Sequence, residues 1–88
     1  MGRHRRGEIQ ILIDILNICL KGAKATHLMY KANLSYFTLQ KYLSTALKQG
    51  LIKKVSNEDG SVVYYITEKG KLLLERLKEV TYVLHFKP

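Results

Sequence analysis

From Tyr36 to Gly50 the chain reads YFTLQKYLSTALKQG, which holds Lys41 and Lys48 and no Asp or Glu. At about 100° per residue, Leu39, Leu43, Ala46 and Leu47 fall on one face of a helix. Phe37, Lys41, Ser44, Thr45 and Lys48 fall on the opposite face, with Thr38 and Gln40 beside them. A helix selected only for solubility mixes both signs of charge. This face instead offers cations and hydrogen-bonding groups, which is the chemistry of polyanion recognition. Gln40 suits bidentate pairing with adenine, and Thr38 suits a thymine methyl. Lys41 and Lys48 suit phosphate, which fixes register rather than sequence. Ser35 precedes the helix as its N-cap. Tyr36 stands near the core boundary, where packing and contact are equally open. Phe37 is the odd member: it can press on a thymine methyl or a sugar, or act as a hot spot for a protein partner.

Other reactive side chains form no constellation. His4, His27 and His85 are far apart, with no Cys or acid at ligand spacing, so no metal site is indicated. His27 reads as a surface residue or a phosphate contact. Cys19 is the single cysteine, in an apolar helical run, so it reads as a small core or interface hydrophobe in a reducing compartment. There is no glycine-rich phosphate loop, and an enzyme is not expected. No cofactor or small-molecule ligand is indicated. The six tyrosines are spread along the chain and read as core edges with polar tips outward, rather than as a stacking platform.

The elements that must position this face follow from periodicity. Glu8 to Leu20 reads as a helix, with Ile9, Leu12, Ile13, Leu16 and Leu20 on one side and Gly22 as its stop. A second stripe, Ile11, Ile15 and Ile18, lies on the other side and asks for a further partner. Ala25 to Ala32 reads as a short helix. Asn33 suits a left-handed turn residue, and Leu34 plugs that turn. Gly50 ends the third helix. LIKKV (51–55) and VVYYIT (62–67) read as strands joined by the turn chemistry of SNEDGS. Thr67 caps a last helix from Glu68 to about His85. Its Leu73, Leu77, Val80 and Leu84 step by 4, 3 and 4 residues, a short coiled-coil seam.

Two short helices joined by a tight turn, then a hairpin, make a winged helix–turn–helix. The expected class is α+β, mostly helical: three helices, a two-stranded hairpin wing, and a C-terminal dimerisation helix. Residues 1–7 read as a basic arm, 8–67 as the winged helix–turn–helix, and 68–88 as the C-terminal helix. On the wing, Lys53 and Lys54 alternate sides, so one of them faces a polyanion. Asn57 at the tip is a possible donor, although Glu58 and Asp59 argue against deep insertion. Arg3, Arg5 and Arg6 form either an arm for a neighbouring groove or a tail giving non-specific attraction. The stripe Ile11, Ile15, Ile18 and the seam Leu73, Leu77, Val80, Leu84 are expected to meet across a two-fold axis, extended by Tyr82, Val83 and Phe86. The competing arrangement packs the last helix on the first within one subunit.

Composition agrees. The chain has 88 residues, one domain's worth, with 47% hydrophobic residues and a net charge of +8. The apolar run from Ile9 to Leu20 is broken by Gln10, Asp14 and Asn17, too short and polar to span a membrane. No signal peptide is expected in MGRHRRGE, and the expected place is the cytoplasm, associated with the nucleoid.

The string GAKATHLMYKANLSYFTLQKYLSTALKQGLI (22–52), followed by YYITEKGKLLLERL (64–77), resembles the small archaeal winged-helix DNA-binding proteins, of the ArnR type of winged helix–turn–helix. The resemblance spans roughly residues 8 to 80. It implies double-stranded DNA as partner, a homodimer formed through the C-terminal helix, and a role as transcriptional regulator or chromatin component. This chain departs from the pattern in its short last helix and in Phe37, where a polar or basic side chain is expected. The alternative function is a winged-helix protein–protein interaction module.

Overall fold

The computed structural model describes residues 7–85, apart from the side chain of His85. The elements are α1 (Glu8–Ile18), α2 (Ala25–Lys31), α3 (Tyr36–Lys48), β1 (Ile52–Ser56), β2 (Val62–Ile66) and α4 (Glu68–His85). The order and type expected from periodicity are those found. α1 is shorter at its C-terminal end than its apolar pattern: Cys19 is its C-cap, and Gly22 turns the chain at φ +87°.

The turn between α2 and α3 is set locally. Asn33 takes φ +55°, and the Leu34 amide donates to the Met29 carbonyl at 2.9 Å. This left-handed closure satisfies carbonyls that the end of α2 would otherwise leave open. The Ser35 hydroxyl then accepts the Thr38 amide hydrogen at 3.1 Å and starts α3. At the far end, Gly50 takes φ +75°, and the Leu51 amide reaches the Ala46 carbonyl at 2.8 Å.

The hairpin is antiparallel, with Ile52 opposite Ile66, Lys53 opposite Tyr65 and Lys54 opposite Tyr64. It is pinned to the helices at its base. Ala23 exchanges two backbone hydrogen bonds with Tyr64, at 3.0 and 2.8 Å, so one residue of the α1–α2 turn bridges to β2. The Thr67 hydroxyl donates to the Gly50 carbonyl at 2.6 Å and accepts the Gly70 amide at 3.0 Å, capping α4 while tying it to the end of α3. The Lys69 ammonium donates to the Gln49 carbonyl at 2.8 Å, which places a cation at the negative end of α3.

One buried cluster holds the fold together, with Ile15, Leu16, Leu28, Leu39 and Leu43 at its centre. Here the structure corrects the reading of α1. Ile15 is wholly buried in the protomer and offers no surface to a second copy. Ile11 and Ile18 are half-buried against the same core, as are Leu73 and Leu77 of α4. α4 packs against α1 within the subunit. The expectation of an unpartnered stripe treated α4 as lying outside the core; Leu74 of α4 is instead buried in that core, with Leu73 and Leu77 packed against it. Only the end of the seam stays open: Val80 is 52% exposed and Leu84 68%. The ends of the expected core face also differ, since Ile9 in the first turn of α1 and Leu20 beyond its C-cap are exposed.

Candidate nucleic-acid interface

The free face of α3 is built by its own spacing. Leu39, Leu43 and Ala46 are buried and fix the rotation of the helix. That leaves Phe37, Lys41, Ser44 and Lys48, about opposite to them, exposed. Ser35, Tyr36 and Thr45 are exposed as well, while Thr38 and Gln40 are half-buried. Tyr36 is 61% exposed, so packing is not its role. Phe37 is 72% exposed, and the Lys41 ammonium stands 5.2 Å from its ring centroid, a cation–π distance.

Thr38, Lys41 and Thr45 also line a groove of about 540 Å³ that runs between α3 and the start of α1, with Glu8, Ile9 and Leu12 opposite. The two threonines therefore lie on the flank of α3, and the stripe from Phe37 to Lys48 forms its crest.

The wing divides its lysines. Lys54 shares a face with the buried Tyr64, and Lys53 shares the other face with Tyr65. Both lysines are exposed. The tip is a closed unit. The Asn57 side-chain amide donates to the Ser61 hydroxyl at 2.9 Å, and Asp59 accepts the Ser61 amide at 2.9 Å and hydroxyl at 2.7 Å. Asn57, expected as a free donor, thus contributes to closing the turn. The Ser61 hydrogen bonds, aided by the charge of Lys24, lower the Asp59 pKa, so the tip is held anionic.

Arg3, Arg5 and Arg6 lie outside the described residues. Lys24, Tyr30 and Lys31 on and before α2 are exposed, though periodicity assigns them to no site. The signal for them is charge: residues 15–57 contain no Asp or Glu and seven lysines. Burial pushes the Cys19 thiol up to about 12, which makes it an inert core group. Burial likewise raises the Tyr64 hydroxyl, with smaller effects from Tyr36 and Cys19. Among the described residues no group of His, Cys, Asp and Glu is placed to hold a metal ion, and no helix is long and apolar enough to cross a membrane.

A family model described as winged helix-turn-helix matches residues 5–85. The chain belongs to the winged helix-turn-helix family. Its relatives include the uncharacterized protein MJ0287 of Methanocaldococcus jannaschii, 31% identical over 98% of this chain and 84% of that protein. MJ0290 of the same organism is 40% identical over 86% of this chain, which spans only 34% of that longer protein. Among solved winged helices, Sso10a-2, a DNA-binding protein from Sulfolobus solfataricus, superposes with a TM-score of 0.82 at 36% identity, over 89% of this chain and 81% of that one. The transcriptional regulator BldR from the same organism superposes at 0.78 and 18% identity, over 85% of this chain and 56% of that one, a likeness of fold.

Proposed function

We propose that this winged helix binds double-stranded DNA, seating the crest of α3 in a major groove, and acts as a homodimeric transcriptional regulator or nucleoid component. The observation that carries this reading is the acid-free crest of Phe37, Lys41, Ser44 and Lys48, held on a rigid helix by a buried opposite face. The similarity to Sso10a-2, a DNA-binding protein, supports it. Ser35, Tyr36, Thr38, Gln40 and Thr45 flank the crest as further contacts, and one of Lys53 and Lys54, which lie on opposite faces of the wing, supplies a phosphate contact. The anionic tip at Glu58 and Asp59 stays clear of the backbone, because two acids repel phosphate.

Dimerisation is proposed through the end of α4. Val80, Val83 and Leu84 share a face there, and all are more than half exposed. α1 has 11 residues and α4 has 18, so at about 1.5 Å per residue α4 outruns the helix that covers it. Two copies of this chain would bury these ends in a self-complementary contact and set two α3 helices at a fixed spacing.

Titration of the protein on random duplex and on genomic fragments that it selects itself, each at two salt concentrations, tests the reading. Affinity is expected to fall with salt at a log–log slope of about −0.9 for each neutralised phosphate. Lys41→Ala with Lys48→Ala is expected to flatten that slope and weaken binding; wild-type affinity in this variant would refute the placement of α3. The exposed Phe37 also supports a second reading, a protein-docking module. Binding to a protein partner that hardly responds to salt would favour that module over DNA.

A further inference from the structure

We propose that the first turn of α3 reads the C5-methyl groups of pyrimidines through the exposed ring of Phe37, so that thymine and 5-methylcytosine are both preferred to uracil and cytosine. This rests on the duplex-binding reading above and names what that face selects.

Phe37 is the second residue of α3 and lies two residues before the buried Leu39, about 160° away around the helix axis. It therefore points straight out of the domain, and it is 72% exposed. Helices that enter a major groove touch base edges mainly with their N-terminal residues. A phenyl ring has no donor or acceptor. Pressed on a polar base edge, it strips water and returns no hydrogen bond. The C5-methyl is the apolar group that a base edge shows in the major groove. The ring therefore discriminates twice in one direction: it gains from a methyl and loses against a bare polar edge.

Two further observations point the same way. The Lys41 ammonium is held 5.2 Å from the Phe37 ring centroid. That contact sets the nearest cation of α3 beside the ring, from where its ammonium can still meet phosphate. The arginines stand at positions 3, 5, 6 and 76, so neither α3 nor the hairpin carries a guanidinium fork for guanine. The entry of α3 is thus poor in guanine-reading chemistry and rich in apolar surface.

Fluorescence anisotropy with the full chain and four labelled duplexes of equal length tests the proposal. One pair is an alternating A·T duplex and the same duplex with every thymine replaced by uracil. The other is an alternating G·C duplex and its fully 5-methylcytosine form. Each contacted methyl is expected to raise affinity about fourfold, the scale of burying one carbon. In Phe37→Ala both preferences are expected to vanish with the salt slope unchanged, and in Phe37→Leu part of each preference is expected to remain. Far-UV circular dichroism checks that both variants fold. Equal affinities within each pair for the wild type, with steep salt dependence, would overturn the methyl reading and leave duplex binding standing. Methyl dependence that survives in Phe37→Ala would overturn it also, by assigning the effect to DNA shape. Failure to bind any of the four duplexes at low salt would overturn both readings.

Discussion

The Ser35 hydroxyl accepts the Thr38 amide hydrogen at 3.1 Å, one of the donors that the first turn of α3 leaves without an intrahelical acceptor. Ser35→Ala is expected to lower the unfolding free energy by about 1 kcal/mol, measured by urea denaturation. Ser35→Asp keeps a capping oxygen and favours the helix dipole, so stability should hold. The same carboxylate stands at the entry of the proposed DNA face, so duplex affinity should drop at low salt. The two variants thus separate capping from contact. Cys19 shows a different kind of residue-scale control. Its thiol is pushed up to about 12 in the folded chain, against an ordinary value of 9.0. The unfolded thiol ionises first as pH rises, so folding binds the proton more tightly. The stability this provides is complete below about pH 9 and is lost progressively as pH climbs from there towards 12. Guanidinium titrations at stepped alkaline pH should show that decline. A thiol reagent at pH 8 should label Cys19 only after unfolding.

At the scale of elements, the joint between α3, the hairpin and α4 is tightly fitted. Gly70 is buried in the first turn of α4, and a Cβ there would run into the Leu51 carbonyl oxygen and stand 2.7 Å from Ile66 Cγ1. Alanine in a helix is ordinarily favoured over glycine by up to about 1 kcal/mol. Gly70→Ala should invert that sign and cost about 2 kcal/mol, because backbone must shift to admit the methyl. A thermal melt of this variant that matched or exceeded wild type would refute the fit. The Thr67 and Lys69 hydrogen bonds to Gly50 and Gln49 make the same joint polar as well as tight. The surface ion pair Lys71–Glu68, at 3.4 Å with both partners exposed, adds little by comparison.

At the scale of the whole molecule, charge and apolar surface are segregated. The seven lysines of residues 15–57 stand without an acid among them, while the acids lie in α1, at the wing tip and along α4. The exposed Val80, Tyr82, Val83 and Leu84 gather at the far end of α4. Sedimentation at micromolar concentration should show twice the 10.2 kDa of one chain. Val80→Glu with Leu84→Glu should return a monomer that stays folded by circular dichroism, since both side chains are exposed, and that melts lower only by the contribution of association. Its DNA affinity should fall by more than one contact's worth, because two linked α3 helices bind with a shared effective concentration.

Local chemistry made most of this molecule legible from its sequence. The positive φ of Asn33, the caps at Ser35 and Thr67, the stop at Gly50 and the hairpin all follow from residue type at short range. The crest of α3 follows as well, because a buried face at helical spacing dictates what stands opposite. What lay beyond reach was set by contacts between residues far apart in the chain. The pairing of Ala23 with Tyr64 is a single-residue bridge with no periodicity to announce it. The engagement of Asn57 with Ser61 depends on how the wing tip closes. The fate of Ile15 depended on where α4 lies. Periodicity shows that α1 is apolar on two sides, but a stripe on a helix looks the same whether a second copy or the chain's own last helix covers it. The packing of α4 against α1 within the subunit decided the burial of Ile15, and it left Val80, Val83 and Leu84 exposed.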